Sequence, residues 1–203
     1  LDSLKKAYNL TSKNYFIGIL TLPINKKDIN QFVNKNFIDQ TTFFSKLENN
    51  IYSNMVFIFK NKFFVPLTIH IELKNVHKYF KNKDIIVKKV LNLNKTLIDD
   101  FKIIKPKILL AGINPHAGEK GIISNNDDKY LKPIIAKLKK LNININGPIS
   151  GDAMITEKNL KKYNLFLFTY HDQALIPFKI ISKFKGINFT SGLKTIRISP
   201  SHG

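Results

Sequence analysis

The stretch GINPHAGE, residues 112–119, decides how the rest of the chain is read. It follows a short apolar run, KILLA at 107–111, which reads as a buried strand that the glycine, asparagine and proline then break. A histidine just past the carboxyl end of a buried strand stands where open α/β sheets bind ligands. His116 is placed that way. The segment YNLFLFTYHDQ repeats the layout, with a strand over 165–170 followed by His171 and Asp172. A third segment, FFVPLTIHIEL, puts His70 at the end of an apolar run. Three of the five histidines therefore close three apolar strands, which points to one shared site.

With 203 residues and 43% apolar content the chain can bury a sizeable core. The absence of cysteine excludes disulfides, thiol nucleophiles and thiolate metal sites, and fits a reducing compartment. No apolar run reaches membrane-spanning length and the start, LDSLKKAYNL, has no signal-like apolar region, so the expectation is a cytoplasmic protein without a membrane partner. A chain that begins with Leu1 is expected to be a piece of something longer. The net charge of +19 would suit nucleic acid. However, the lysines are scattered over solvent-facing positions, and only one of the 33 basic residues is an arginine, whose planar fork nucleic-acid readers favour. The expectation is no nucleic-acid partner.

In order, the pattern predicts a strand over 15–21, a short helix in KKDINQFVNK, and a helix from Thr41 capped by Asp39 or Thr41. Strands over 55–59 and 63–71 follow, joined as a hairpin, with Pro66 demoting the second to an edge or delaying its start to Leu67. A long helix over 83–102 has Ile85, Ile86, Val90, Leu91, Leu97 and Ile98 as its apolar face. Another helix opens at Asp127 and Asp128, which suit its positive end, and buries Leu131, Ile134, Ile135 and Leu138. GPISGD reads as a turn-rich loop and EKNLKKY as a short helix. LIPFKII, GINFTSG and TIRIS read as strands. Alternating strands and helices argue an α/β sandwich. No glycine-rich dinucleotide turn and no P-loop is present.

Three neutral imidazoles suit a divalent metal with an open coordination position; zinc, cobalt, nickel and manganese all fit. Arg197, the only arginine, and Lys179 are candidates to hold a substrate anion. Asp152 lies in a loop where a carboxylate orients a histidine, moves a proton or caps a helix. His77, among lysines, reads as exposed and structural.

The chain resembles the 4-hydroxythreonine-4-phosphate dehydrogenase family of pyridoxal phosphate biosynthesis. The resemblance rests on TLPINK, FIDQTTFF, the His70 strand, GINPHAGE, NGPISGD, YHDQALIPFK, GINFTSGL and IRISPSHG, in that order. It implies an α/β fold of the isocitrate and isopropylmalate dehydrogenase type, with two α/β domains and an interdomain cleft, here incomplete. Residues 1–35 would be a remnant of the nucleotide-side domain, and 36–203 the metal- and substrate-binding domain. The family's metal ligands fall on His70, His116 and His171, with a zinc, cobalt, magnesium or manganese ion shared across a homodimer interface. Its substrate ligands fall on Lys179, Asn188 and Arg197, its phosphate-site threonine on Thr41, and its catalytic aspartate on Asp152, with Lys179 beside it. NAD would take hydride from the substrate's secondary alcohol, and the resulting keto acid would lose carbon dioxide.

Departures from the family pattern are specific. Its Gly-His-Thr reads Asp39-Gln40-Thr41, so an amide replaces the phosphate-site histidine. Leu22 and Asn25 replace a glycine and a histidine, Ala174 a glycine, and Ser201 an aspartate before His202 and Gly203. The acidic pair after NPHAGE becomes Asn126-Asp127. The family's glycine-rich amino-terminal motif and its carboxy-terminal segment have no counterpart in these 203 residues. Two further readings follow from this: a non-catalytic remnant that keeps the fold, and a relative acting on another four-carbon phosphorylated hydroxy acid.

Overall fold

Period-two alternation sorts the strand side chains onto two faces. The strands are β1 (Ile19–Leu20), β2 (Asn54–Phe59), β3 (Lys62–Pro66), β4 (Ile108–Ala111), β5 (Ile145–Ile149), β6 (Leu165–Phe168), β7 (Ile187–Ser191) and β8 (Arg197–Pro200). In the computed structural model, which describes residues 1–25, 28–33, 35, 37–50 and 52–201, they form one mixed sheet in the order β1-β8-β7-β2-β3-β6-β4-β5. β3, β6, β4 and β5 run parallel; β2, β7 and β8 pair antiparallel.

One face carries Val56, Ile58, Val65, Leu110, Leu167 and Phe189, buried against the helices Lys83–Asp99 and Lys132–Lys140. The other carries Phe57, Phe64, Leu109, Phe166 and Phe168 under the helix His171–Ser182, whose Phe178 ring lies 5.2 Å from Phe57 and 5.4 Å from Phe64. The result is an α/β sandwich, as the element pattern predicts.

Several expectations change in detail. LIPFKII is helical: residues 174, 175, 178 and 182 turn inward together, a 3.6-residue period that a short apolar run hides. Pro177 sits inside that helix. The hairpin forms, with Lys60 and Asn61 both left-handed as a two-residue turn requires. Yet β3 is central, not an edge. Pro66 lies beyond the last hairpin pair, Phe57 with Phe64, so its missing N–H removes no bond of the hairpin ladder. β3 stops at Pro66, which leaves His70 in the following loop. Only residues 19–20 of the expected 15–21 strand pair, because β8 offers a partner on that short stretch alone. The long helix ends at Asp99, and its buried face is Ile86, Val87, Val90, Leu93, Thr96 and Leu97, rotated from the expected stripe; Ile98 is exposed. KKDINQFVNK holds a single turn, Ile29–Val33, and its Lys26, Lys27 and Asn34 lie outside the described residues. GPISGD contributes the end of β5. Among the described residues no helix is long and apolar enough to cross a membrane.

Phe64 has no exposed surface and touches Phe166, Phe168 and Phe178. Phe64→Ala is expected to cost about 3–5 kcal/mol in urea unfolding, because that cluster cannot collapse into the space. Lys89, half-buried in a cavity of about 550 Å³ with Lys46, Ser45 and Ser53, has its ammonium pushed by burial from 10.5 down to about 8. Between those values the unfolded chain binds more protons, so stability rises with pH there. Lys89→Met should raise the melting temperature at pH 7, and differential scanning calorimetry should show the gain shrink as pH climbs above about 8.

Candidate active site

Four parallel strands deliver the candidate residues to one edge of the sheet. Past β3 comes His70, past β6 His171, past β4 His116 and past β5 Asp152. This is the carboxyl edge at which open α/β sheets place ligands.

A cavity of about 340 Å³ lies at that edge. Its floor follows from strand register: Phe57 pairs with Asn188 and Asn188 with Ser199, while Met55 pairs with Thr190. Alternation therefore turns Met55, Phe57, Asn188, Arg197 and Ser199 to the same face, and all five line the cavity. Its wall is a stripe of the His171–Ser182 helix at four-residue spacing: His171, Leu175 and Lys179. Asp39, Gln40, Thr41 and His70 complete it.

Arg197 is 3% exposed. Its donors go to neutral oxygens: Nε and Nη2 to Thr21 Oγ1 at 3.1 and 2.6 Å, Nη2 to Gln40 Oε1 at 2.5 Å, and Nη1 to Thr190 Oγ1 at 3.3 Å and Thr41 Oγ1 at 3.4 Å. Burial lowers its pKa to about 10, opposed by the charge of Asp39. None of the ion pairs among the described residues involves Arg197. A buried guanidinium whose hydrogen bonds all go to neutral groups is a site for an anion. Among the described residues, the buried Asn188 Oδ1, Ser199 Oγ and Ser201 Oγ lack a hydrogen-bond partner, and all three residues line this cavity. Buried polar atoms are rarely left so unless something else satisfies them.

The His70 and His171 rings stand 6.0 Å apart. Each is oriented by a carboxylate on Nδ1: Asp39 at 3.3 Å from His70 and Asp172 at 2.7 Å from His171. That leaves both Nε2 atoms as acceptors in the neutral form. Two imidazoles on one ion, at bonds of about 2.0–2.1 Å, have centres roughly 5–6 Å apart, so the pair fits a divalent metal. His70 is itself left-handed, φ 53°, a strained backbone of the kind that collects at functional sites. Burial raises the Asp39 pKa, but hydrogen bonds from His70 and Thr42 and the His70 charge outweigh it and hold the carboxyl below its ordinary range. Asp39 also caps the helix Gln40–Leu47 through Thr42 N–H at 2.8 Å.

His116 lines a neighbouring cavity of about 520 Å³ with Asp152, Tyr170, Asp172 and Gln173. Among the described residues no three His, Asp or Glu side chains gather as one metal-binding group. The His116 loop runs left-handed from His116 to Lys120, and Gly118 is obligatory there, since a Cβ would stand 2.2 Å from Ser124 O. Asp127 holds the loop. It stands in the first helical turn, as the sequence suggests, and is fully buried there, accepting from Ile113 N–H at 2.6 Å and Asn114 Nδ2 at 2.8 Å. Asp152 accepts from Ser150 Oγ; this bond, its local backbone amides and His116 lower its pKa against slight burial, so it is a carboxylate at neutral pH.

Of the eight sequence candidates, the first cavity gathers His70, His171, Thr41, Lys179, Asn188 and Arg197, and the second His116 and Asp152. The site also uses Thr21, Thr190, Asp39 and Asp127, all of which lie in motifs or helix starts, but only the cap signal of Asp39 points toward the role the residue has here. Of the Ser201-His202-Gly203 motif, His202 and Gly203 lie outside the described residues. His77 is half-buried in a short helix, Val76–Tyr79.

The profile of the pyridoxal phosphate biosynthetic protein PdxA matches residues 1–203. The chain belongs to the PdxA family. It is 40% identical over 187 residues to 4-hydroxythreonine-4-phosphate dehydrogenase of Aquifex aeolicus, covering 92% of this chain and 57% of that protein. It is 34% identical over 203 residues to the enzyme of the same name from Zymomonas mobilis, covering 99% and 60%. The crystal structure of the Klebsiella pneumoniae 4-hydroxythreonine-4-phosphate dehydrogenase superposes with a TM-score of 0.86 at 26% identity, covering 98% of this chain and 60% of that one. The chain thus spans about three fifths of the length of the PdxA relatives it matches. Its fold is α/β of the isocitrate and isopropylmalate dehydrogenase type, incomplete by comparison with those neighbours.

Where the PdxA resemblance puts a histidine, Gln40 accepts from Arg197 and donates Nε2–H to Leu22 O at 3.0 Å. Thr21→Val, nearly isosteric, removes the acceptor of two Arg197 donors. It should lower unfolding free energy by about 1–3 kcal/mol, measured in urea, because the guanidinium stays buried.

Proposed function

We propose that this protein catalyses the NAD- and divalent-metal-dependent oxidation, with decarboxylation, of 4-hydroxythreonine-4-phosphate to 3-amino-2-oxopropyl phosphate in pyridoxal phosphate biosynthesis. The observation that carries the reading is Arg197, buried among neutral oxygens in the cavity that also holds the carboxylate-oriented His70 and His171. The family's dehydrogenase relatives supply the reaction class.

Arg197 and Thr41 would bind the substrate phosphate, with Gln40 setting the angle of the guanidinium. Lys179 and Asn188 would orient the carbon chain from the helix and the sheet floor. Asp152, ionised at neutral pH, and Lys179 would take and return protons. His70 and His171, through Nε2, and His116 would hold the divalent ion, which when bound acidifies an alcohol and polarises a carbonyl. A homodimer, with ligands to that ion drawn from both subunits, is part of the reading; it is supported by His116 lining a cavity separate from that of His70 and His171. So is the division at residue 35, before which β1 reaches the sheet through β8 alone. For NAD the fit is different. The described residues form no glycine-rich strand-to-helix cradle for a pyrophosphate, so no residue is assigned to it. A second reading, a relative acting on another four-carbon phosphorylated hydroxy acid, is favoured by Gln40, which cannot add the charge of a histidine.

The test is NADH formation by the purified protein with 4-hydroxythreonine-4-phosphate, with and without divalent metal. Metal-dependent turnover lost in His116→Ala and in His171→Ala is expected. Absence of turnover with metal still bound at those histidines would replace the enzyme reading with a non-catalytic one.

A further inference from the structure

The ladder between β4 and β6 ends at Leu110 and Leu167. Beyond it one side chain takes over. Gln173, in the first turn of the His171–Ser182 helix, turns its amide back across the strand ends. Its Oε1 accepts from the Thr169 backbone N–H at 2.8 Å and lies 2.9 Å from Thr169 Oγ1; its Nε2 donates to Gly112 O at 2.9 Å. Thr169 has no exposed surface, and its Oγ1 also lies 3.2 Å from Gly112 O, so one hydroxyl proton is shared between two acceptors. The Thr169 N–H can only donate, which decides the direction of the Gln173 amide.

The bracket reaches a third strand. Gly112 N–H donates to Ile149 O at 2.7 Å, at the end of β5. In the loop beyond, a Cβ on Gly151 would lie 2.8 Å from Gln173 Nε2, so the loop that carries Asp152 rests on the amide only because it has glycine there. The same amide thus touches the chain just before His116, just before Asp152 and just before His171. Removing it would strand the Thr169 N–H, at the penalty of an unsatisfied buried group, and leave the Gly112 carbonyl only the longer contact from Thr169 Oγ1. These loops would separate or admit water.

We propose that Gln173 is a positioning residue: its amide holds the His116 and Asp152 loops and the start of the His171–Ser182 helix in place on the strand ends, and so places the ligands that each subunit brings to the divalent ion. This rests on the metal reading given above. Its test uses cobalt(II) as the probe of the whole protein, with affinity and the visible d–d spectrum as readouts and thermal unfolding as a control. Gln173→Leu removes all the amide's hydrogen bonds at similar volume. Gln173→Glu keeps the acceptor for Thr169 but sets a charged carboxylate oxygen against Gly112 O in place of the donor, so it serves if the leucine variant does not fold. Either variant should weaken cobalt binding roughly 10- to 100-fold and shift the spectrum while a cooperative transition is retained. Wild-type affinity and spectrum in a folded variant would overturn the positioning role, even with the metal site intact. If His116→Ala and His171→Ala bind cobalt like wild type, the metal reading fails and the proposal with it.

Discussion

Parallel pairing of β3, β6, β4 and β5 is the constraint on which the rest depends. Strands that run the same way end on the same edge, so four loops that are far apart in the chain must meet there. The ladder aligns them only as far as the strands last. Beyond it, polar side chains do the aligning: Gln173 between β4 and β6, Asp127 under the His116 loop, and Asp39 beneath His70. Each of these groups also satisfies a buried or helix-terminal N–H, so local folding and site assembly draw on the same hydrogen bonds.

The antiparallel half does different work. β2, β7 and β8 pair in a register that turns polar residues to the face that carries phenylalanines elsewhere in the sheet. That polar patch exists because the helix above it presents His171 and Lys179 in place of another Phe178. Charge follows the same division. The cavity holds one deeply buried cation, Arg197, with neutral hydroxyls and an amide as its direct partners, and one buried carboxylate, Asp39, already committed to a histidine and a helix end.

Much of this was legible in the residues. The histidine-bearing strand ends, the hairpin at Lys60-Asn61 and the Asp39 cap each follow from local patterns of one or two signals. What was not legible depends on distance in the chain. LIPFKII has the composition of a strand, and only packing of Phe178 against Phe57 and Phe64 makes it a helix. Asp127 looks like an ordinary first-turn acid until the His116 loop folds over it. Thr21 and Thr190 fall inside TLPINK and GINFTSGL, yet nothing local marks them as acceptors for Arg197; they matter because β1 and β7 flank β8 and so bracket it. The apolar face of the Lys83–Asp99 helix was misplaced because apolar residues occupy more of its circumference than the sheet can cover.

The bond from Arg197 to Thr21 spans 176 positions of sequence. Closing so large a loop carries an entropic cost that must be met before the contact returns anything, so such pairings are late events. β7 and β8 pair within a short hairpin, Ile187 with Pro200, so it is β1 alone that must come from the far end of the chain to bring Thr21 to Arg197. A chain in which β1 has not docked would keep its core while Arg197 lacks the acceptor of two of its donors, so the aim of the guanidinium, more than its charge, hangs on one distant contact.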